Sequence, residues 1–212
     1  MVHDDISIDF ERGEVTAIMG GSGSGKSTLV EFIMFGNKHS IGSLLWEGKD
    51  WNRSEIEKKI GFAPQNGGFL SDYTVIENIS MPLEYVFGFP KNISLDIAWA
   101  AMQTLGLGAD ICNQHVNTLS GGTLRRASIA RALILEQHLL ILDEPLSGLD
   151  TVNSKILSSL IQDLVPKTTV ICVTHHFIQA SKYIIINKGK AIEGTYEESM
   201  NNPLTRSFLE MH

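Results

Sequence analysis

The sequence predicts an α/β protein: a parallel sheet covered by helices on both faces, with a small antiparallel β part and an inserted helical lobe. Three observations carry that expectation. Runs such as "HLLILDEP" and "TTVICVTHH" are continuously aliphatic, the texture of strands buried on both faces. Segments of helical spacing separate them, as parallel strands need crossover helices. From Asn66 to about Leu133 the texture changes to helices throughout, which marks the inserted lobe.

Taken in order, "ISIDFERGEVTAIMG" alternates at Ile6, Ile8 and Phe10, turns at Gly13 and continues in the apolar run Val15 to Met19. It reads as a hairpin whose second strand enters the core. "GKSTLVEFIMFG" follows as a helix closed near Gly36. "SLLWEGKDW" and "KKIGFAPQ" read as strands, the second ending at Pro64-Gln65. "TVIENISMPLEYVFGF" and "SLDIAWAAMQTLGLG" are helical, with Ser94 as N-cap and Gly106 as stop. Strand-helix alternation then resumes with "HLLILDEP", the helix "NSKILSSLIQDLV" and the buried strand "TTVICVTHH". "YIIINKGKAIEG" is a hairpin turning at Lys188-Gly189, and a terminal helix is expected around "TRSFLEM". The 212 residues form one domain, 1–212, with a core lobe of about 1–65 and 134–212 and a helical lobe of about 66–133.

A formal charge of −7 argues against a general nucleic-acid binder, which carries a basic surplus. Cys112 and Cys172 have no CxxC spacing and are expected as reduced thiols. No apolar run approaches the roughly 20 residues that cross a bilayer, and the acidic start "MVHDDISIDF" lacks the features of a signal peptide. The expected location is the cytosol, with any membrane role exerted through a partner.

The chemistry starts at "GGSGSGKST", residues 20–28. Gly20, Gly21, Ser22, Gly23, Ser24, Gly25, Lys26, Ser27 and Thr28 lie between a predicted strand and a predicted helix, the context a P-loop requires. Glycines let backbone amides wrap phosphate oxygens, and the helix N-terminus adds partial positive charge. Lys26 would reach the β- and γ-phosphates, and Ser27 would ligate Mg²⁺. Asp143 and Glu144 follow four aliphatics at a strand end, placing one carboxylate for Mg²⁺ and the next to polarise an attacking water. Gln65 and His175 also end strands, in reach of metal, water or γ-phosphate, although strand-terminal Gln and His are commonly just solvated. A second anion-binding helix start, Ser120-Gly121-Gly122, has no use for the same triphosphate within one chain.

Together these residues resemble the ATP-binding-cassette (ABC) ATPase family, over essentially the whole chain. Gly20 to Thr28 is similar to Walker A, Gln65 to the Q-loop and Leu119 to Gly122 to the signature. Leu139 to Asp143 with Glu144 is similar to Walker B and its catalytic glutamate, "LSGLD" at 146–150 to the D-loop, and His175 to the switch histidine. The resemblance implies a P-loop NTPase cassette with a RecA-like core, binding ATP and Mg²⁺. Catalysis is assigned to Glu144, His175, Gln65 and Lys26, and the metal to Ser27, Gln65 and Asp143. The nucleotide falls to residues 20–28, Gln65, Asp150 and His175, with Ser120, Gly121 and Gly122 from the facing subunit's signature turn. It further implies a head-to-tail homodimer around two ATP, driving an integral membrane permease from the inner face of the membrane, with a substrate-binding or accessory protein as a further partner and no nucleic acid.

Departures from the family pattern are Thr123 for the usual signature glutamine, His176 for the acid after the switch histidine, and Gly21 for a proline. The family also places a strand bearing an adenine-stacking aromatic upstream of this start. Read from Met1, ATP is expected to bind some 5- to 150-fold more weakly than with that ring, since base–aromatic stacking is worth about 1–3 kcal/mol. "FAPQNGGFLSDYTVIENISMPLEYVFG" and "LSGGTLRRASIARAL" resemble the Mla phospholipid-trafficking ATPases, with Lol- and Fts-type cassettes and amino-acid importers as near relatives. The alternatives are an amino-acid importer, or a cassette for cell division or iron-sulfur assembly. The segment Asn66 to Phe89, with Phe69, Leu70 and Tyr73, is the expected docking surface for the membrane partner.

Overall fold

In a computed structural model, which describes residues 6–36, 42–50, 52, 56–134, 137–187, 189–203 and 205–206, strand β1 (Val15–Met19) lies inside the main sheet. The other strands of that sheet are β4 (Ile60–Ala63), β5 (Leu139–Asp143), β6 (Thr169–Val173), β7 (Lys182–Asn187) and β8 (Lys190–Gly194). Their order is β4-β5-β6-β1-β7-β8, parallel except for the β7–β8 hairpin. A two-stranded antiparallel ribbon, β2 (Leu45–Trp46) with β3 (Lys49–Asp50), stands apart and turns at Glu47-Gly48, both at positive φ as a tight hairpin of this kind requires. Of "SLLWEGKDW", residues 45–50 are therefore a ribbon rather than one strand, and Trp51 lies outside the described residues.

Each central strand buries both faces, which is why its sequence does not alternate. Leu140, Leu142, Val170, Cys172, Ala17 and Met19 point into one cluster. Leu139, Ile141, Ile171, Val173 and Ile18 point into the other, against Leu29, Val30 and Ile33 of helix α1 (Lys26–Phe35). The period of two is present, but apolar residues fill both sides of it.

The larger cluster is roofed by α2 (Val75–Tyr85), α3 (Lys91–Thr104), α5 (Gly121–Leu133) and α6 (Thr151–Leu164), which contribute Ile79, Met102, Ile129 and Ile161. A short α4 (Ala109–Cys112) precedes α5, and α7 (Tyr196–Asn201) follows β8. Between the end of β4 and the start of β5 the described elements are helical.

Three sequence expectations are corrected. Residues 6–10 form no strand, because β6 and β7 already fill both edges of β1 in parallel; Ile8 and Phe10 pack, half-buried, against the α1 side instead. Ser94 does not cap α3. The helix starts one turn earlier, with Pro90 at the N-cap, and the buried Ser94 hydroxyl donates back to the Pro90 carbonyl at 3.1 Å. A helix at 196–201 was not expected, yet Thr195 and Glu198 form a reciprocal capping box that announces it. Of "TRSFLEM", only Thr205 and Arg206 are described, both helical; the rest, like Lys188 in the β7–β8 turn, lies outside the described residues.

Helix α2 has the same kind of cap: Thr74 accepts from the Glu77 N–H, and Glu77 accepts from the Thr74 N–H. Thr74→Ala should cost about 1 kcal/mol of unfolding free energy, measured as a lower urea midpoint at unchanged slope. The Thr74 backbone and hydroxyl hold the Glu77 carboxyl below its ordinary value. A depressed carboxylate stabilises above its unfolded pKa and stops doing so as pH falls through the folded one. The difference between wild type and Glu77→Gln should accordingly close on acidification.

Candidate functional site

Residues 20–28 form the turn that β1 delivers to α1. Gly20 has φ 153°, and a Cβ there would lie 2.3 Å from the Ile186 carbonyl oxygen, so only glycine fits. Gly25, at φ 103°, is the N-cap of α1. Gly21 and Gly23 have open space where a Cβ would stand, leaving the rim of the turn clear for a ligand. Ser24 Oγ is buried in this turn with no hydrogen-bond partner among the described residues. Lys26 Nζ donates to the carbonyls of Gly20 at 2.7 Å and Gly21 at 3.0 Å, which folds its ammonium over the cradle. Burial lowers its pKa, against the pull of Glu144 and Asp143. A helix N-terminus, an orphaned hydroxyl and a half-buried cation converging on glycine backbone fit a phosphate chain.

Asp143 closes β5, and its neighbours decide its charge. Burial raises its pKa and the Glu144 carboxylate raises it further, while the Arg125 guanidinium, the Gln65 N–H and Lys26 oppose. Two adjacent carboxylates under-compensated in this way suit an added cation. The donors at hand, a carboxylate, a hydroxyl at Ser27 and an amide at Gln65, are oxygens of the kind Mg²⁺ takes alongside substrate phosphates. No group of three or more His, Cys, Asp or Glu side chains placed to hold a metal occurs among the described residues. The structure brings the Gln65 backbone to Asp143; the residue itself is exposed.

Glu144 is 7% exposed and sits at φ 53°, a conformation rare outside glycine, with its N–H held by the Val173 carbonyl at 2.7 Å. That backbone turns the carboxylate towards the end of β6, where Oε2 lies 2.7 Å from His175 Nδ1. The His175 and His176 rings lie with centroids 4.2 Å apart and planes tilted by 38°, and the Thr174 hydroxyl accepts from the His176 N–H at 2.9 Å. The loop beyond is pinned by Tyr183, whose hydroxyl donates to the Ile178 carbonyl and accepts from the Ala180 N–H.

The second glycine-bearing helix start is a separate place. Ser120 is the N-cap of α5, accepting from the Thr123 N–H at 3.3 Å and lying 2.9 Å from the Thr123 hydroxyl. Gly122 faces Gly148, so the Ser120–Gly122 turn and the 146–150 turn share a cleft of about 300 Å³. None of residues 20–28 lines it. Asp150 caps α6, taking the Val152 and Asn153 N–H groups at 2.9 Å on one oxygen and the Asn153 amide at 2.5 Å on the other. The Asn153 bonds, first its backbone N–H, hold its carboxyl below the ordinary value.

Sequence reading passed over Arg125 and Arg131. The signal was there: three arginines, Arg125, Arg126 and Arg131, in a helix that also carries the small, buried Ala127, Ser128, Ala130 and Ala132. Cations so placed have somewhere inside to go.

A family model described as "ABC transporter" matches residues 3–147. The chain is 31% identical, over 95% of its length and 81% of the relative's, to the intermembrane phospholipid transport system ATP-binding protein MlaF of Haemophilus influenzae. It is 33% identical, over 90% of its length and 55% of the relative's, to the methionine import ATP-binding protein MetN of Rhizobium johnstonii. Its fold superposes with TM-score 0.80 and 26% identity, covering 92% of this chain and 90% of the other, on the ATP-binding cassette MJ0796 in a dimeric post-hydrolysis state bound to ADP and Pi.

Proposed function

Since the chain belongs to the ABC transporter family of ATPase cassettes, we propose that it is the nucleotide-binding subunit of a phospholipid transporter, closing as a homodimer around two ATP. One observation carries the dimer: two helix starts suited to an anion, at residues 20–28 and at Ser120–Gly122, stand at different places on one chain, and none of residues 20–28 lines the Ser120–Gly122 cleft. A single triphosphate cannot use both. A two-fold pair supplies one of each per site, and the cassette MJ0796 forms a dimer.

In this reading residues 20–28 wrap the phosphates and Lys26 leaves its carbonyl partners for the β- and γ-phosphates. Ser27, Asp143 and Gln65 hold Mg²⁺, which supplies charge neutralisation on the phosphates. Glu144 orients the attacking water and takes its proton, shielded by burial. His175 starts against Glu144 and turns towards the γ-phosphate. Asp150 serves the site by fixing the start of α6. Residues 66–133 act as the helical lobe and the remainder as the core.

Phospholipid as cargo rests on the MlaF match; amino-acid import is the second reading and rests on the MetN match. Among the described residues no helix is long and apolar enough to cross a membrane, so the transporter reading requires a permease. Leu70 and Tyr73 are exposed apolar side chains directly after the Gln65 loop, as a docking surface needs, whereas Phe69 is half-buried against the core. Leu70→Asp with Tyr73→Asp should remove permease binding and leave the subunit folded. Affinity capture of the complex tests both points: a multi-span partner with bound phospholipid supports the reading, and undiminished capture by the double variant refutes this docking surface.

A further inference from the structure

Helix α5, which starts at the Ser120–Gly122 turn, carries two guanidinium groups that reach across to the loop after β4. Arg125 is 8% exposed, and its Nη1 donates to the Pro64 carbonyl at 3.2 Å and the Asp143 carbonyl at 3.0 Å. Arg131 donates from Nη1 to the Gly68 carbonyl at 2.7 Å and from Nη2 to the Gly67 carbonyl, with its guanidinium 4.6 Å above the Phe69 ring. Gln65 lies between these two grips.

Besides these grips the loop is held by the Gln65 N–H on Asp143 and by its own turn bonds, Gly67 N–H to the Pro64 carbonyl at 3.1 Å and Gly68 N–H to the Asn66 carbonyl at 2.9 Å. Gly67 and Gly68 take positive φ, so carbonyls that would point elsewhere in a side-chain-bearing residue turn towards Arg131. Its far end is held by Asn78 of α2, which accepts from the Leu70 N–H and donates to the Leu70 and Tyr73 carbonyls. Charge-assisted bonds from a buried cation, Arg125, and a half-buried one, Arg131, to neutral carbonyls are strong, and breaking them leaves a desolvated charge behind.

We propose that Arg125 and Arg131 are positioning residues that lock the Gln65 loop to the helix of the Ser120–Gly122 turn, making one rigid unit of the two places that read γ-phosphate. Resting on the ATP-sandwich reading, this means that nucleotide engaged at Ser120 in one subunit is transmitted along α5 to Gln65 of the same subunit. Each subunit thereby couples the partner's nucleotide, held at its signature turn, to its own.

The geometry separates the two arginines. Arg125 uses a single nitrogen for both carbonyls, so an ammonium can replace it; Arg131 uses two nitrogens and lies over the Phe69 ring, so it cannot. Arg125→Lys should keep most of kcat, while Arg125→Gln, Arg131→Lys and Arg131→Met lose about 10- to 100-fold in kcat with KM for ATP little changed. A purely structural role predicts losses that follow thermal stability and no difference between the two lysine variants.

Hydrogen exchange gives the direct reading. In full-length Glu144→Gln protein, ATP with Mg²⁺ should slow the amides of residues 66–70. With Arg125→Gln and Arg131→Met added, ATP should still drive dimerisation while those amides no longer respond. If that variant does not fold, Arg131→Lys alone should show the same uncoupling in smaller measure. Retained ATP-dependent protection in the folded variants overturns the clamp alone. A Glu144→Gln parent that neither dimerises nor gains protection overturns the sandwich reading together with the clamp.

Discussion

Glu144→Gln will bind ATP and fail to turn it over, with kcat lower by about 10²–10⁴-fold. Glutamine preserves the shape of a side chain that is buried at the end of β5 and set by an unusual backbone conformation. It removes the proton acceptor and the negative charge facing His175 Nδ1. Nothing in the 20–28 cradle changes, so the protein should accumulate as an ATP-bound dimer on gel filtration with Mg²⁺. Lys26→Ala fails differently. It removes the cation folded over the cradle, so affinity and hydrolysis fall together and no dimer forms. A Glu144→Gln protein that stays monomeric with ATP, alone and with its permease, contradicts the sandwich mechanism.

Gly121→Asp should abolish turnover, by a factor of about 10² or more, in a subunit that folds normally. Nothing lies within 4 Å of a Cβ built at Gly121, and an acidic residue in the first turn of α5 suits the helix dipole. In the sandwich reading the same carboxylate occupies the place of a facing γ-phosphate and repels it. ATP titrated against the monomer should therefore bind the 20–28 cradle with unchanged affinity, while dimerisation is lost. Mixing Gly121→Asp with Lys26→Ala subunits places both defects in one composite site and leaves the other intact, so turnover should partly return. A Gly121→Asp enzyme that hydrolyses ATP normally places the active site within one chain and sinks the composite reading.

Much of this was legible in the residues. The glycine spacing of 20–28 states its own geometry, because Gly20 and Gly25 occupy conformations that other residues avoid. Aliphatic runs at β5 and β6 announced strands buried on both faces, and Asp143 and Glu144 were identifiable as their polar end. The cap of α7 was equally present, in Thr195 and Glu198. Ser94 misled because a serine before an apolar run resembles a cap, while Pro90 supplied the start one turn earlier.

What the sequence by itself determined are features decided within a few residues: strand or helix period, turn chemistry, caps, and the glycine turn between β1 and α1. Only the tertiary structure decided which strands flank β1, and so that residues 6–10 could not pair with it. Only it placed His175 against Glu144, committed both oxygens of Asp150 to a helix cap, and aimed Arg125 and Arg131 at carbonyls some sixty residues away. The physical reason is range. Local choices follow from steric and hydrogen-bonding limits on adjacent residues, whereas a buried cation's partner depends on which backbone carbonyls the closed sheet and helices leave unsatisfied at that spot.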